Sequence, residues 1–127
     1  MCIRDRYKDT VEYCKQREQF GQPIGKFQVL QHRMVDMFME HEQSKSLMFM
    51  AAMRMAEGYG AEAQKAVSAF KVQVGKSGKF VGQNAVQLHG GMGMTEELNI
   101  GHYFKRLTII DTLFGNVDFH LQRFGAL

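Results

Sequence analysis

The sequence predicts an all-α fold of the antiparallel four-helix-bundle type, and three observations carry that reading. A single proline in 127 residues leaves room for long unbroken helices. Two long segments repeat apolar residues at three- and four-residue spacings, the period of a helix with one buried face. The turn Gly58-Tyr59-Gly60 joins these segments, which have matched length and so form an antiparallel hairpin.

Composition narrows the class. The chain is 45% hydrophobic and 23% charged, as in a single folded domain rather than a disordered or membrane chain. No stretch approaches the roughly 20 apolar residues that span a bilayer, and no apolar run follows the charged N-terminus, so a cytoplasmic location is expected. Cys2 and Cys14 are too few for a disulfide framework or a cysteine-rich zinc site. The formal charge of +3 is too weak for nucleic-acid binding but suits an anionic cofactor. Ten methionines fit adaptable helix–helix packing.

The elements follow in order. Residues 1–6, Met-Cys-Ile-Arg-Asp-Arg, precede the helical pattern without contributing to it and are expected to be a non-native scar. A first helix runs from Tyr7 to Gln16, with Val11 and Cys14 on one stripe. Phe20-Gly21-Gln22-Pro23-Ile24-Gly25 breaks it, Gly21 permitting a cap and Pro23 setting the turn. The second helix spans Phe27 to Glu57, with Leu30, Met34, Met37, Phe38, His41, Leu47, Met48, Ala51 and Met55 as its stripe. The third spans Ala61 to Leu88, its core candidates being Ala63, Ala66, Val67, Phe70, Val74, Phe80, Val81, Ala85 and Leu88. Gly75, Gly78 and Gly82 each cost that helix about 1 kcal/mol relative to alanine, or else admit a close neighbour. His89 to Met94 is a glycine-rich loop, and Thr95 with Glu96 and Glu97 reads as the cap of a short helix ending at Arg106. Thr108 to Phe114 is an apolar, β-branched stretch, Gly115-Asn116 a turn, and Val117 to Phe124 a terminal helix.

Local chemistry is sparse. The five histidines do not form the Glu-x-x-His pairs of a di-iron bundle, so no metal is expected. Cys14 lies on an apolar stripe and reads as packing, not as a nucleophile. Gly90-Gly91-Met92-Gly93 is neither a P-loop nor a dinucleotide fingerprint, since no Gly-Lys-Ser/Thr follows and no strand precedes. It is either a tight turn or a backbone cradle for a bulky ligand. Arg17, beside a glycine turn, is either a solvated helix end or a phosphate-binding fork. Asp111, between Ile110 and Thr112, is either a structural carboxylate or, if buried, a candidate base.

Several segments taken together resemble a known family. Arg17-Glu18-Gln19-Phe20-Gly21 is followed seven residues later by Gln28. Gln87-Leu88-His89-Gly90-Gly91-Met92-Gly93 begins about 59 residues beyond that glutamine. This set is similar to the C-terminal all-helical domain of the acyl-CoA dehydrogenases, over Tyr7 to about Phe124. The resemblance implies residues 7–127 of a bundle truncated at its N-terminus, within an enzyme that binds FAD and oxidises an acyl-CoA thioester between its α and β carbons. It also implies an oligomer of like or unlike subunits and an electron-accepting flavoprotein.

The same resemblance implies roles for single residues. Arg17 would contact the FAD pyrophosphate of a neighbouring subunit, with Phe20 packed near it and Gln28 hydrogen-bonded to it. Gln87, Leu88, His89, Gly90 and Gly91 would wrap the adenosine end of that FAD. Asn116, Val117 and Asp118 would meet the subunit's own FAD, and Gly115 the substrate. One departure stands out: Phe114 occupies the position where many members carry the proton-abstracting glutamate, and a phenyl ring accepts no proton. That leaves Asp111 as a secondary candidate base, or a base elsewhere in the enzyme. The run Gly101-His102-Tyr103-Phe104-Lys105-Arg106 with Leu113-Phe114-Gly115 resembles the small subunit of pimeloyl-CoA dehydrogenase, which implies a heteromer with a silent site.

Overall fold

The computed structural model describes residues 2–91 and 99–127. The Met92-Gly93-Met94 segment and the Thr95 cap with Glu96 and Glu97 lie outside the described residues. Helix α1 (Cys2–Gln16) starts five residues earlier than the periodicity indicates. Ile3, Arg6, Thr10 and Cys14 recur every three or four residues and are all buried, so the first residues extend the stripe rather than stand outside it. Arg6 is fully buried with its guanidinium 5.6 Å from the centre of the Phe104 ring, a cation–π contact. Burial lowers its pKa to about 10, which still leaves it protonated at neutral pH.

A small hairpin follows. Strands β1 (Glu18–Gln19) and β2 (Gln22–Pro23) pair antiparallel, Glu18 opposite Pro23 and Gln19 opposite Gln22. Phe20 and Gly21 form the two-residue loop with φ of 54° and 75°, as a primed hairpin turn requires. Gly21 therefore serves the hairpin and not a helix cap, because α1 has already ended at Gln16. A single 3-10 turn, Ile24–Lys26, leads into the second helix.

Helices α2 (Gln28–Glu57) and α3 (Ala61–His89) are the antiparallel pair, separated by Gly58 at φ 132°. A polar seam fixes their register: Ser44 Oγ donates to Ser77 Oγ at 3.0 Å, while Ser77 and Gln73 both donate to Glu40 Oε2. Helix α3 packs against α1, α2, α4 (Asn99–Thr112) and α5 (Val117–Ala126). Its glycines serve that role. Leu107 sits 3.4 Å from where a Cβ on Gly78 would lie, and Phe104 sits 3.2 Å from one on Gly82.

Two expectations are corrected here. Helix α4 does not stop at Arg106; it continues to Thr112 through the β-branched stretch. Thr108 and Thr112 return their hydroxyl protons to the carbonyls of Phe104 and Ile109, and Leu107 is buried, so packing outweighs the modest β preference. Phe38, Met48, Met55 and Phe80, expected in the core, are exposed. Phe38 meets the Tyr7 ring of α1 at 5.8 Å yet stays exposed, and much of the outer face of α2 has no neighbour among the described residues. The core itself is Ile3, Cys14, Ile24, Met37, Val81, Ala85, Leu88 and Leu107. Burial pushes the Cys14 thiol above its usual pKa, in keeping with packing.

Candidate functional site

The residues singled out by sequence fall into two groups, at separate levels of α3. The first gathers where the end of α1, the hairpin, the start of α2 and the end of α3 meet. Tyr13 stacks on His89 with ring centres 4.2 Å apart, joining α1 to α3. One turn on from Tyr13, the Arg17 amide donates to its carbonyl at 2.8 Å, and the Ile24 amide donates to the Arg17 carbonyl at 2.7 Å. The Arg17 side chain is exposed and has no ion pair among the described residues.

Phe20 is 92% exposed, in the left-handed conformation, and touches Phe27 edge-on at 6.1 Å. Gln28, Gln87, Gly90 and Gly91 are exposed nearby, whereas Leu88 and His89 turn into the core. A Cβ on Gly21, Gly90 or Gly91 would meet nothing within 4 Å, so their backbone faces open space. His89 Nδ1–H donates to the Ala85 carbonyl at 2.8 Å. Burial pulls its pKa below the usual histidine value, and the Ala85 bond only partly opposes this.

This group suits an extended anionic ligand. It offers an exposed guanidinium, two exposed carboxamides, a bare aromatic ring and glycine backbone that a bulky group can approach. It is a surface, not an enclosed site. Two grooves of about 480 and 580 Å³ lie on the bundle, the first beside this group at Lys15, Pro23 and Lys26, and none of these residues lines either.

The second group lies about 20 Å away along α3, at the turn between α4 and α5. Phe114 has φ 60° and is 91% exposed, followed by Gly115 at φ 97°. A left-handed phenylalanine costs about 1–2 kcal/mol, so its surroundings must impose that conformation. Asn116 caps α5 by accepting the Phe119 amide at 3.0 Å. Asp118 is exposed in the first turn of α5, and Val117 is half-buried with its Cγ2 2.6 Å from where a Cβ on Gly75 would sit.

Asp111 turns towards α3. Its Oδ1 is buried against Gly75 and has no hydrogen-bond partner among the described residues. The sequence reading missed two residues that shape this turn, Lys71 and His120. Lys71 Nζ donates to the Ile110 and Asp111 carbonyls at 2.8 and 3.0 Å. His120 Nε2–H donates to the Phe114 carbonyl at 3.0 Å, with Nδ1 facing Ser68 Oγ at 3.3 Å. Lys71 lies about 40 residues from its partners in sequence, and no local pattern announces such a pairing.

Comparison with known proteins follows the same lines. The profile of the acyl-CoA dehydrogenase C-terminal domain matches residues 2–126. The short-chain specific acyl-CoA dehydrogenase of Megasphaera elsdenii is 32% identical over 118 residues, which cover 93% of this chain and 30% of that protein. In the ChsE4-ChsE5 complex from Mycobacterium tuberculosis, a chain superposes with a TM-score of 0.92 at 27% identity, covering 98% of this chain and 34% of that one. The FAD complex of PigA superposes with a TM-score of 0.91 at 25% identity, again over 98% of this chain and 32% of that one. The chain thus spans about a third of the length of these proteins. Among the described residues, no helix is long and apolar enough to cross a membrane. The motif set, the helical bundle and the matched profile agree: the chain belongs to the acyl-CoA dehydrogenase family, as its C-terminal helical domain.

Proposed function

We propose that this chain is the flavin-docking and subunit-assembly domain of a heteromeric acyl-CoA dehydrogenase, and that it does not supply the catalytic base. The observation that carries the reading is Phe114. It stands at an exposed, left-handed turn where the family resemblance places a glutamate, and its ring accepts no proton. Asp111, three residues before Phe114 in sequence, packs its Oδ1 against Gly75. The likeness to the small subunit of pimeloyl-CoA dehydrogenase belongs to the same proposal.

FAD fits the first group of residues. Arg17 would neutralise its pyrophosphate, Gln28 and Gln87 would hydrogen-bond it, and Phe20 would cover it, with Gly90 and Gly91 admitting the adenosine end. Gly115, Asn116, Val117 and Asp118 would face a second flavin and the acyl-CoA thioester at the other group. Bound FAD supplies the redox chemistry, which ends on an electron-accepting flavoprotein. The chain's own part is to hold charge and exclude water. The exposed Phe38, Met39, Phe49 and Met53 on α2 would be covered by neighbouring subunits.

The test is the composition of the intact enzyme. The protein that carries this domain is co-expressed with a companion dehydrogenase subunit, and subunit masses, flavin content and turnover of an acyl-CoA are measured. Unlike subunits in one flavoprotein are expected. An active homo-oligomer with flavin in every subunit would instead make this chain part of a self-sufficient dehydrogenase.

A further inference from the structure

The α4–α5 turn is held from three sides. The Ile110 and Asp111 carbonyls lie in the last turn of α4, where no helical amide can reach them, and both are taken by Lys71 Nζ from α3. The neighbouring Ile109 carbonyl accepts from the Leu113 amide and the Thr112 hydroxyl. Beyond the helix, the Phe114 carbonyl accepts from His120 Nε2 on α5. The Asn116 side chain accepts from the Phe119 amide, and its carbonyl accepts from the His120 amide at 3.1 Å. A Cβ on Gly115 would collide with the Phe119 ring, so the backbone there lies close against that ring.

An ordinary surface turn leaves such carbonyls to water. Here side chains 39 and 40 residues away on α3, and six residues away on α5, satisfy them instead. The side chains of the turn point the other way: Phe114 is 91% exposed and Leu113 47%. A backbone locked on its inner side while its outer side is bare is pre-organised for contact.

We propose that Lys71 and His120 are positioning residues, holding the α4–α5 turn in the one conformation that presents Phe114, Gly115 and Asn116 to the flavin and acyl thioester of the assembled enzyme. This rests on the proposed function for its flavin-facing half and on the observed hydrogen bonds for its rigidity. Lys71 fixes the end of α4, and His120 fixes the carbonyl just before Gly115. Each contact requires a donor, an amine N–H from Lys71 and an Nε2–H from His120, because a carbonyl only accepts.

Rigidity is read first in the chain by itself. It contains no tryptophan, so Phe114→Trp places a single indole at the tip of the turn. Time-resolved fluorescence anisotropy then reports local nanosecond motion. We expect low-amplitude motion in the single variant, and at least about a twofold rise in amplitude when Lys71→Met or His120→Leu, which has no donor, is added with helical circular dichroism unchanged. Lys71→Arg is expected to restore the low amplitude. No rise in either double variant overturns the proposal. Should a variant lose its helices, backbone 15N order parameters of residues 113–116 in the unaltered chain decide instead. Values near the helical level of about 0.85 support the proposal, and values below about 0.6 overturn it.

The assembled enzyme gives the second reading. Lys71→Met is expected to lower kcat about tenfold or more, with KM for the acyl thioester moved less than about threefold and the visible flavin band shifted. Lys71→Arg should recover most of both. If the motion rises but kcat and the flavin band do not move, the turn is fixed by Lys71 and His120 but does not meet the flavin. That result overturns the flavin-facing half and leaves the docking role to the FAD retention of Arg17→Ala, whereas a mobile turn overturns the positioning.

Discussion

His120 and Phe114 are joined by one hydrogen bond, from imidazole Nε2–H to backbone carbonyl at 3.0 Å, and that bond ties α5 to a left-handed phenylalanine. The same ring faces Ser68 on α3 and is almost fully buried. His120→Ala removes both contacts and leaves a cavity. A loss of about 2–3 kcal/mol in urea unfolding is expected, with a smaller loss for His120→Gln, which keeps a donor. Equal stability of the alanine variant and the unaltered chain would show that the bond is not formed in solution.

Gly75 and Gly78 lie one turn apart on α3 but should respond in opposite directions. A methyl group on Gly75 would run into the Asp111 carboxylate and sit 2.6 Å from Val117 Cγ2, so Gly75→Ala should cost about 1–3 kcal/mol. On Gly78 it would meet Leu107 at 3.4 Å, an ordinary contact. Gly78→Ala should be neutral or gain up to about 1 kcal/mol from helix propensity. Thermal melts of the two variants side by side check the ordering.

Stability should fall on mild acidification because of His89. Burial holds its folded pKa below the unfolded value of 6.5. The unfolded chain therefore takes up the proton first, and folding weakens as pH drops below about 6.5 towards the folded pKa, by at most about 1.4 kcal/mol per pH unit. Above that window the group contributes no slope. Urea titrations between about pH 7.5 and about pH 5 should show the loss, and His89→Phe should flatten it.

The isolated 127-residue chain should retain FAD weakly or not at all, because Arg17 and Phe20 sit on an open surface. Flavin absorbance after gel filtration measures this directly. In the assembled flavoenzyme, Arg17→Ala should weaken FAD retention by about 10- to 100-fold, the worth of one charge-assisted contact. Unchanged retention would remove Arg17 from the site.

Asp111→Asn keeps the shape of a carboxylate that packs on Gly75. Turnover of the intact assembly should change less than about threefold, against the 10²- to 10⁴-fold expected for loss of a general base. A drop of that larger size, with fold and flavin content preserved, would make Asp111 the base.

Much of the bundle was legible from one dimension. Helices α2 and α3 and the glycine turn between them follow from apolar periodicity and the lack of proline, because backbone hydrogen bonds within a helix are local. Arg17, Gln28 and Gln87 stand out as a set in the sequence only through the family resemblance. Helix α4 was misjudged past Arg106, because Thr108, Ile109 and Ile110 mimic a strand locally. Only the packing of the buried Leu107 against Gly78 shows that the helix runs on through them. Phe38 and Met48 follow the helical period of a core stripe, yet the described helices leave that part of α2 exposed.

By itself, then, the sequence determined the helix count along the paired core, the family and the absence of a glutamate at Phe114. Only the tertiary structure decided that Ile3 and Arg6 are part of the first helix, and that Lys71 and His120 govern the α4–α5 turn. The physical reason is range. Helix signals repeat every three or four residues, whereas a lysine that caps a helix 39 positions away is selected by packing geometry and leaves no periodic trace.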